Sequence, residues 1–188
     1  LRVIGLFTSN VYNQSVLRIP LLRRKVNAII ADAGLKQSSY SGKALLNILD
    51  TYPRDDLFQI NEALLEQFVA AILQLDERPR VRLLIRLDSF NRFASCLVYI
   101  PRDRCNSDVR ERIGLKLAEA FDGRVSAFYP AFPEGSLARV HFIIGRDQST
   151  KPSFEIEALE QEIANLAQTW DDRFNTVAQS VEADITDP

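Results

Sequence analysis

Residues 79–113, PRVRLLIRLDSFNRFASCLVYIPRDRCNSDVRERI, decide the fold that we predict for this chain. Between residues 80 and 87, apolar side chains alternate with arginines at a period close to two, which is typical of a half-buried strand. A polar turn leads to a second apolar run at 93–100, which Pro101 should stop because proline cannot donate to a sheet ladder. We therefore expect a β-hairpin, then a charged loop, then a helix that begins near Asn106 or Ser107.

The same pattern recurs further along the chain. A second hairpin is predicted from Val125 to Tyr129 and from Ala138 to Gly145, after a helix at about 108–121 that Gly123 should end. Another helix follows. The order strand-strand-helix-strand-strand-helix arises when the last strand of a ferredoxin-like unit is moved to its front. The sequence thus predicts an α+β fold, ββαββα, in which a four-stranded antiparallel sheet carries helices on one face. The expected spatial order is first, second, fourth and third strand.

The chain is expected to divide into two parts. Residues 1–78 should form a mainly helical subdomain with one leading strand at 3–8, and residues 79–188 should form the sheet domain. The last helix should start at Ser153 and keep an apolar seam to Val181, longer than the sheet requires. We expect its second half to dock on the N-terminal helices or on another subunit. The leading strand lacks a nearby partner, so we expect an excised piece of a longer protein.

Individual residues mark the ends of the helices that we predict in the N-terminal part. Pro20 suits the first turn of a helix that runs to Gly34. Ser41 should cap a second helix, which must end before Pro53 because the residue preceding a proline is pushed out of the helical region. Asn61 should open a third helix. The segments between these helices are expected to be polar loops.

Composition argues against several classes of function. A formal net charge of −2 lacks the basic excess of a nucleic-acid-binding surface. No apolar run approaches the ~18 residues of a membrane span. Cys96 and Cys105 are too few for a disulfide framework, which favours a reducing cytoplasm. No glycine-rich dinucleotide loop occurs, and His141 is the single histidine, so we expect neither a cofactor nor a metal site here.

One charged loop is a candidate binding site. It lies between a strand end and a helix N-terminus, where backbone N–H groups and the helix dipole favour an anion or an amino-acid carboxylate. The loop comprises Arg102, Asp103, Arg104, Asn106 and Asp108. The alternative is a capped, salt-bridged surface loop that binds nothing.

A second charged segment joins two predicted helices. Tyr52, Arg54 and Asp55 could contact a neighbouring domain, with Arg54 pairing to a carboxylate. The alternative is a solvated connection between helices.

The first hairpin also allows an RNA-binding hypothesis, because arginines and aromatic side chains on an open sheet can stack bases. The residues concerned are Arg80, Arg82, Arg86, Phe90, Phe93 and Tyr99. The acidic balance and the missing RNP-type motif make this a minor alternative.

Several long stretches resemble the large bacterial NAD-specific glutamate dehydrogenases. They are VIGLFTS at 3–9, IPLLRRKV at 19–26, SGKALLNILDTYPRDDLFQI at 41–60, residues 76–113, LARVHFII at 137–144 and TWDDRF at 169–174. YPRDDLFQI and the run from Phe90 to Arg104 are long enough to be specific. The resemblance is colinear and extends over nearly the whole chain.

The resemblance implies a very large, homo-oligomeric enzyme that deaminates glutamate oxidatively to 2-oxoglutarate and ammonia and reduces NAD. This chain would be an N-terminal, ACT-like regulatory part without catalytic or NAD-binding residues of its own. Its partners would be other domains of the same subunit and other subunits. Because ACT domains commonly bind amino acids near helix starts, the 102–108 loop would be the place for an effector. The permuted strand order leaves a ligand-free interdomain or oligomerisation module as the alternative.

Overall fold

A computed structural model describes residues 8–34, 39–147 and 154–168 of the chain. The chain divides into two compact units, Leu1–Arg78 and Pro79–Pro188. The leading strand predicted at 3–8 lies almost entirely outside the described residues, as do the start of the last helix at Ser153 and its second half.

The N-terminal unit is helical. Its elements are α1 (Ser9–Asn13), a 3-10 turn (Val16–Arg18), α2 (Pro20–Asp32), α3 (Tyr40–Thr51), α4 (Arg54–Gln59) and α5 (Glu62–Glu77). Apolar side chains at helical spacing form its core, and they include Leu22, Val26, Leu45, Leu49, Leu65 and Val69. The three predicted helices are confirmed, since Pro20 opens α2, α3 ends before Pro53, and Asn61 caps α5.

The predicted cap of α3 was wrong by two residues. Ser39, not Ser41, is the N-cap, because its hydroxyl accepts a hydrogen bond from the Gly42 amide at 3.1 Å. The loops predicted on either side of α2 and α3 also contain the short helices α1 and α4. Two acidic residues, Asp55 and Asp56, lie in the first turn of α4, where their negative charges interact favourably with the positive end of the helix dipole.

A lysine of α2 supplies hydrogen-bond donors to the C-terminal end of α4. The Lys25 ammonium donates to the backbone carbonyls of Leu57 and Ile60, at 2.8 and 2.6 Å. These carbonyls lie at the helix end, where intrahelical donors are missing. A helix of six residues is too short to be stable alone, so α4 depends on such tertiary contacts.

The second unit has the predicted order of elements. They are β1 (Arg82–Leu87), β2 (Phe93–Pro101), a 3-10 turn (Arg102–Arg104), α6 (Ser107–Ala120), β3 (Gly123–Ala131), β4 (Leu137–Arg146) and α7 (Ile156–Leu166). The four strands form one antiparallel sheet in the order β1-β2-β4-β3. The predicted α+β class and strand order are confirmed.

Two boundaries in this unit differ from the prediction. Strand β2 ends at Pro101, one residue later than predicted, and Pro101 lies opposite Leu137. Gly123 does not end α6 but begins β3, and the chain turns at Asp122, which has a φ of 47°. A Cβ on Gly123 would collide with the Gly145 carbonyl oxygen, so glycine is required there by the close approach of β3 and β4.

One face of the sheet packs against α6 and α7. Alternate residues of the two central strands, among them Val98, Val140 and Phe142, are buried together with apolar residues of both helices. The helix side chains are Val109, Ile113, Leu117, Leu159 and Ile163. Full burial of such a side chain stabilises the fold by about 1.5–3 kcal/mol. This layer is therefore the hydrophobic core of the unit.

The other face of the sheet is also buried along the central strands. Register places Leu84, Leu97, His141 and Tyr129 in one row across the strands. Leu97 and His141 are buried, and the His141 Nε2 lies 2.8 Å from the hydroxyl oxygen of Ser95. His141 is thus a hydrogen-bonded sheet-face histidine in the interior.

Both edges of the sheet carry features that hinder pairing with another strand. The Glu160 carboxylate on α7 accepts from the Leu83 amide at 2.8 Å and forms an ion pair with Arg82 at 3.2 Å. Strand β3 has a register shift between Val125 and Ala127, and Pro130 within it lacks an amide hydrogen. Bulges, prolines and covering side chains are common protections of edge strands.

Replacing Glu160 by alanine should lower the free energy of unfolding by about 1–2 kcal/mol, because a partly buried amide and a guanidinium lose their shared acceptor. Urea unfolding followed by circular dichroism measures this change. Gln161→Ala, at an exposed residue of the same helix, is the matched control and should change stability by less than ~0.5 kcal/mol. Equal effects of the two substitutions would show that Glu160 does not hold the β1 edge.

Candidate functional site

The predicted loop lies where β2 ends and α6 begins. Arg102, Asp103 and Arg104 form the 3-10 turn, and the Asn106 side chain caps α6 by accepting from the Val109 amide at 2.9 Å. Asp108 stands in the first turn of α6. The structure therefore brings all the predicted loop residues to one helix N-terminus, where Asn106 already satisfies one of the free amides.

Arg102 is bonded to the turn between β3 and β4. Its Nη2 donates to the carbonyl oxygens of Phe132 and Pro133, at 2.8 and 2.7 Å, and its backbone amide donates to Ser136 at 2.8 Å. The guanidinium carbon lies 5.7 Å from the centroid of the Phe132 ring, within cation–π range. Arg102 thus links the loop after β2 to the turn between β3 and β4 through hydrogen bonds. The sequence gives no signal for this role, because the partners are about thirty residues away.

The other charges of the loop have oppositely charged neighbours. Arg104 Nε lies 3.9 Å from the Asp103 carboxylate, and the Asp108 carboxylate lies 3.6 Å from Arg112 on the next turn of α6. The two arginines are partly buried and the two carboxylates are exposed, and long pairs with an exposed partner contribute about 0–1 kcal/mol. They can rearrange around a ligand at small cost, so the geometry is compatible with both the effector loop and the capped surface loop.

Tyr52 of the second candidate segment is an interior residue. Its ring is buried in the N-terminal unit, and its hydroxyl donates to the Asp56 carboxylate at 3.1 Å. Because Tyr52 lies in the interior, its described contacts stabilise the turn into α4. They do not present the ring on an external surface.

Arg54 and Asp55 tie α4 to the residues before α2. Arg54 Nη2 donates to the backbone carbonyls of Gln14 and Asp50, both at 3.2 Å. The Tyr12 hydroxyl donates to the Asp55 carboxylate at 2.7 Å, and this hydrogen bond raises the pKa of Tyr12 above its ordinary value. Contact of this segment with another domain stays a prediction.

The described part of the chain holds neither a metal-binding cluster nor a membrane-spanning helix. Residues 8–34, 39–147 and 154–168 contain no group of three or more His, Cys, Asp or Glu side chains arranged to hold a metal ion. No helix within these ranges is long and apolar enough to cross a bilayer.

Comparison with known families gives a direct result. Residues 82–171 match the glutamate dehydrogenase ACT2 domain, and residues 19–78 match helical motif 1 of glutamate dehydrogenase. NAD-specific glutamate dehydrogenase of Halomonas elongata is 42% identical over 171 residues, which is 91% of this chain. The chain belongs to the glutamate dehydrogenase family. The resemblance seen in the sequence is thereby confirmed.

Two further relatives agree. The NAD-specific glutamate dehydrogenases of Pseudomonas aeruginosa and Mycobacterium tuberculosis are 36% and 32% identical to this glutamate dehydrogenase segment, over 94% and 92% of its length. The chain spans 11% of the length of each of these curated relatives.

In this glutamate dehydrogenase segment, Arg102→Ala should lower the free energy of unfolding by about 1 kcal/mol, since the β3–β4 turn loses two hydrogen bonds. Arg112→Ala is the matched control, because Arg112 is a partly exposed arginine whose described ion pair, to Asp108, is long at 3.6 Å. Its effect should stay below ~0.5 kcal/mol. Urea unfolding of both variants measures the two changes in free energy. An Arg102→Ala variant as stable as the unsubstituted chain would contradict the linking role of Arg102.

Proposed function

We propose that this chain is a noncatalytic regulatory and assembly segment of an NAD-specific glutamate dehydrogenase. The parent enzyme would oxidise L-glutamate to 2-oxoglutarate and ammonia, reduce NAD, and act in the cytoplasm as a homo-oligomer. The observation that carries the proposal is the match of the whole described sheet unit to an ACT2 domain.

The residues of this chain support a role away from the chemistry. Its sequence holds no glycine-rich dinucleotide loop, and its buried polar groups include the Ser95–His141 pair, which is enclosed in the sheet. NAD would therefore be bound by other parts of the parent enzyme, whose relatives are named NAD-specific.

The alternative, a ligand-free interdomain or oligomerisation module, has an observation of its own. Arg102 donates to two backbone carbonyls, and Asn106 is the cap of α6, so two of the predicted effector residues have structural partners. In this alternative the loop is a rigid corner that other domains or subunits of the enzyme contact.

RNA binding on the sheet has less support. Arg86 and Tyr99, which would have to meet bases, are buried, while Phe90 in the β1–β2 turn is exposed. A stacking platform needs aromatic faces that a base can reach.

The chain alone should form no NADH when it is mixed with glutamate and NAD, because the proposal assigns the chemistry to other parts of the enzyme. Absorbance at the NADH band measures this, and the full-length enzyme at equal molarity is the positive control. Glutamate-dependent turnover by the chain would refute the proposal that this segment is noncatalytic.

The effector and assembly hypotheses are separated in the full-length enzyme. If the loop binds an amino acid, Arg104→Ala should raise the half-maximal concentration of an activating or inhibiting amino acid by about tenfold, since one charged contact is lost. Initial rates across a panel of free L-amino acids provide the measurement. Arg112→Ala, further along α6, is the control.

An unchanged response of Arg104→Ala to every amino acid that affects the wild-type enzyme would favour the assembly module. Light scattering on the same preparations then reports whether the variant has lost subunits.

A further inference from the structure

An open cleft lies at the end of the sheet where β3 begins and β4 ends. It has a volume of about 490 Å³ and is lined by three arginines from separate segments, Arg92, Arg124 and Arg146. This volume falls within the range of small-molecule sites, about 300–1,000 Å³. Register pairs Phe93 with Gly145 here and Pro101 with Leu137 at the other end. The cleft is therefore roughly 25 Å from the 102–108 loop, at about 3.3 Å per residue along β2.

Two of the three guanidinium groups are held in place by neighbours. Arg92 donates through Nε and Nη2 to the two carboxylate oxygens of Asp88, at 2.7 and 3.2 Å. These hydrogen bonds lower the pKa of Asp88, because they favour its ionised form. Arg146 donates to the Asn91 side chain and lies 6.0 Å from the Phe121 ring centroid. Groups that are already ordered lose less conformational entropy when a ligand binds.

Two glycines leave part of the cleft wall without side chains. A Cβ on Gly123 would collide with the Gly145 carbonyl oxygen, and a Cβ on Gly145 would come within 2.6 Å of the Ser126 hydroxyl oxygen. Both glycines line the cleft. The close approach of β3 and β4 thus keeps the backbone itself at the cleft surface, where it can meet a ligand.

The third arginine, Arg124, is exposed. Within the part of the chain that the structure describes, its side chain forms no ion pair and no hydrogen bond. Arg124 can therefore turn towards a ligand without breaking a bond. Two carboxylates, Asp122 and Asp147, lie on the wall of the same cleft and can accept hydrogen bonds. Positive and negative groups thus face one small space.

We propose that this cleft binds a small metabolite that carries an oxyanion, either carboxylate or phosphate, and a hydroxyl donor close to it. The oxyanion would lie among the three arginines, with Arg124 as the closing contact, since guanidinium groups bind both anions through paired N–H donors. The hydroxyl would donate to Asp122 or Asp147. This inference goes beyond the proposed function, because binding here requires neither an effector at the 102–108 loop nor a catalytic partner.

Calorimetric titration of the chain with L-malate and with glycerol 3-phosphate tests the proposal. Each probe carries an oxyanion near a hydroxyl, and sodium chloride holds the ionic strength constant because salt screens exposed charges. At least one probe should bind saturably with one site per chain. Binding of malate alone identifies a carboxylate ligand, and binding of glycerol 3-phosphate alone identifies a phosphate ligand.

Arg124→Ala should weaken the binding by about tenfold, the loss expected for one charged contact. Arg112→Ala, outside the cleft, should leave it unchanged. Because Arg124 is exposed, its substitution should preserve the fold, which an unchanged circular dichroism spectrum verifies. The proposal is overturned if neither probe binds saturably, or if Arg124→Ala binds as tightly as the unsubstituted chain.

Discussion

The sheet unit depends on the pairing of β2 with its two neighbours. This strand is hydrogen bonded to β1 on one side and to β4 on the other, and residues 94–100 are all buried. Its even-numbered residues pack against the helices, and its odd-numbered residues lie on the other buried face. A strand that is buried on both faces tolerates neither a shift of register nor a polar substitution, because either would move the wrong side chains into the core.

Sequence reasoning predicted the parts of this fold that are encoded by local periodicity. The alternation along β4, with Val140 and Phe142 on the helix side, follows directly from a period of two. The strand order could also be predicted, because a ferredoxin-like arrangement leaves few unknotted ways to pair two hairpins. The prediction was wrong where a distant contact decides the local structure. Helix α4 is held by Lys25, and Gly123 is required by a strand that follows it in sequence.

The candidate sites show the same division. A helix N-terminus with an Asn cap could be predicted from the residues around Asn106. The attachment of Arg102 to Phe132 and Pro133 could not, since only the folded sheet brings the β3–β4 turn beside the end of β2. Likewise, the cleft arginines belong to three separate segments that meet only when β4 pairs with both β2 and β3. Family membership assigns the segment to glutamate dehydrogenases, whereas the contacts distinguish residues that hold the fold from residues that remain able to bind.

Native-state hydrogen exchange of the chain tests most directly whether β2 and its pairing with β4 organise the sheet unit. If this pairing organises the unit, amides shared between β2 and β4 should exchange slowest, only through global unfolding, and outward-facing amides of the edge strand β3 should exchange at least about tenfold faster. Exchange of the β2 amides at the rate of the β3 edge, or faster, would show that the β2–β4 pairing does not organise the unit.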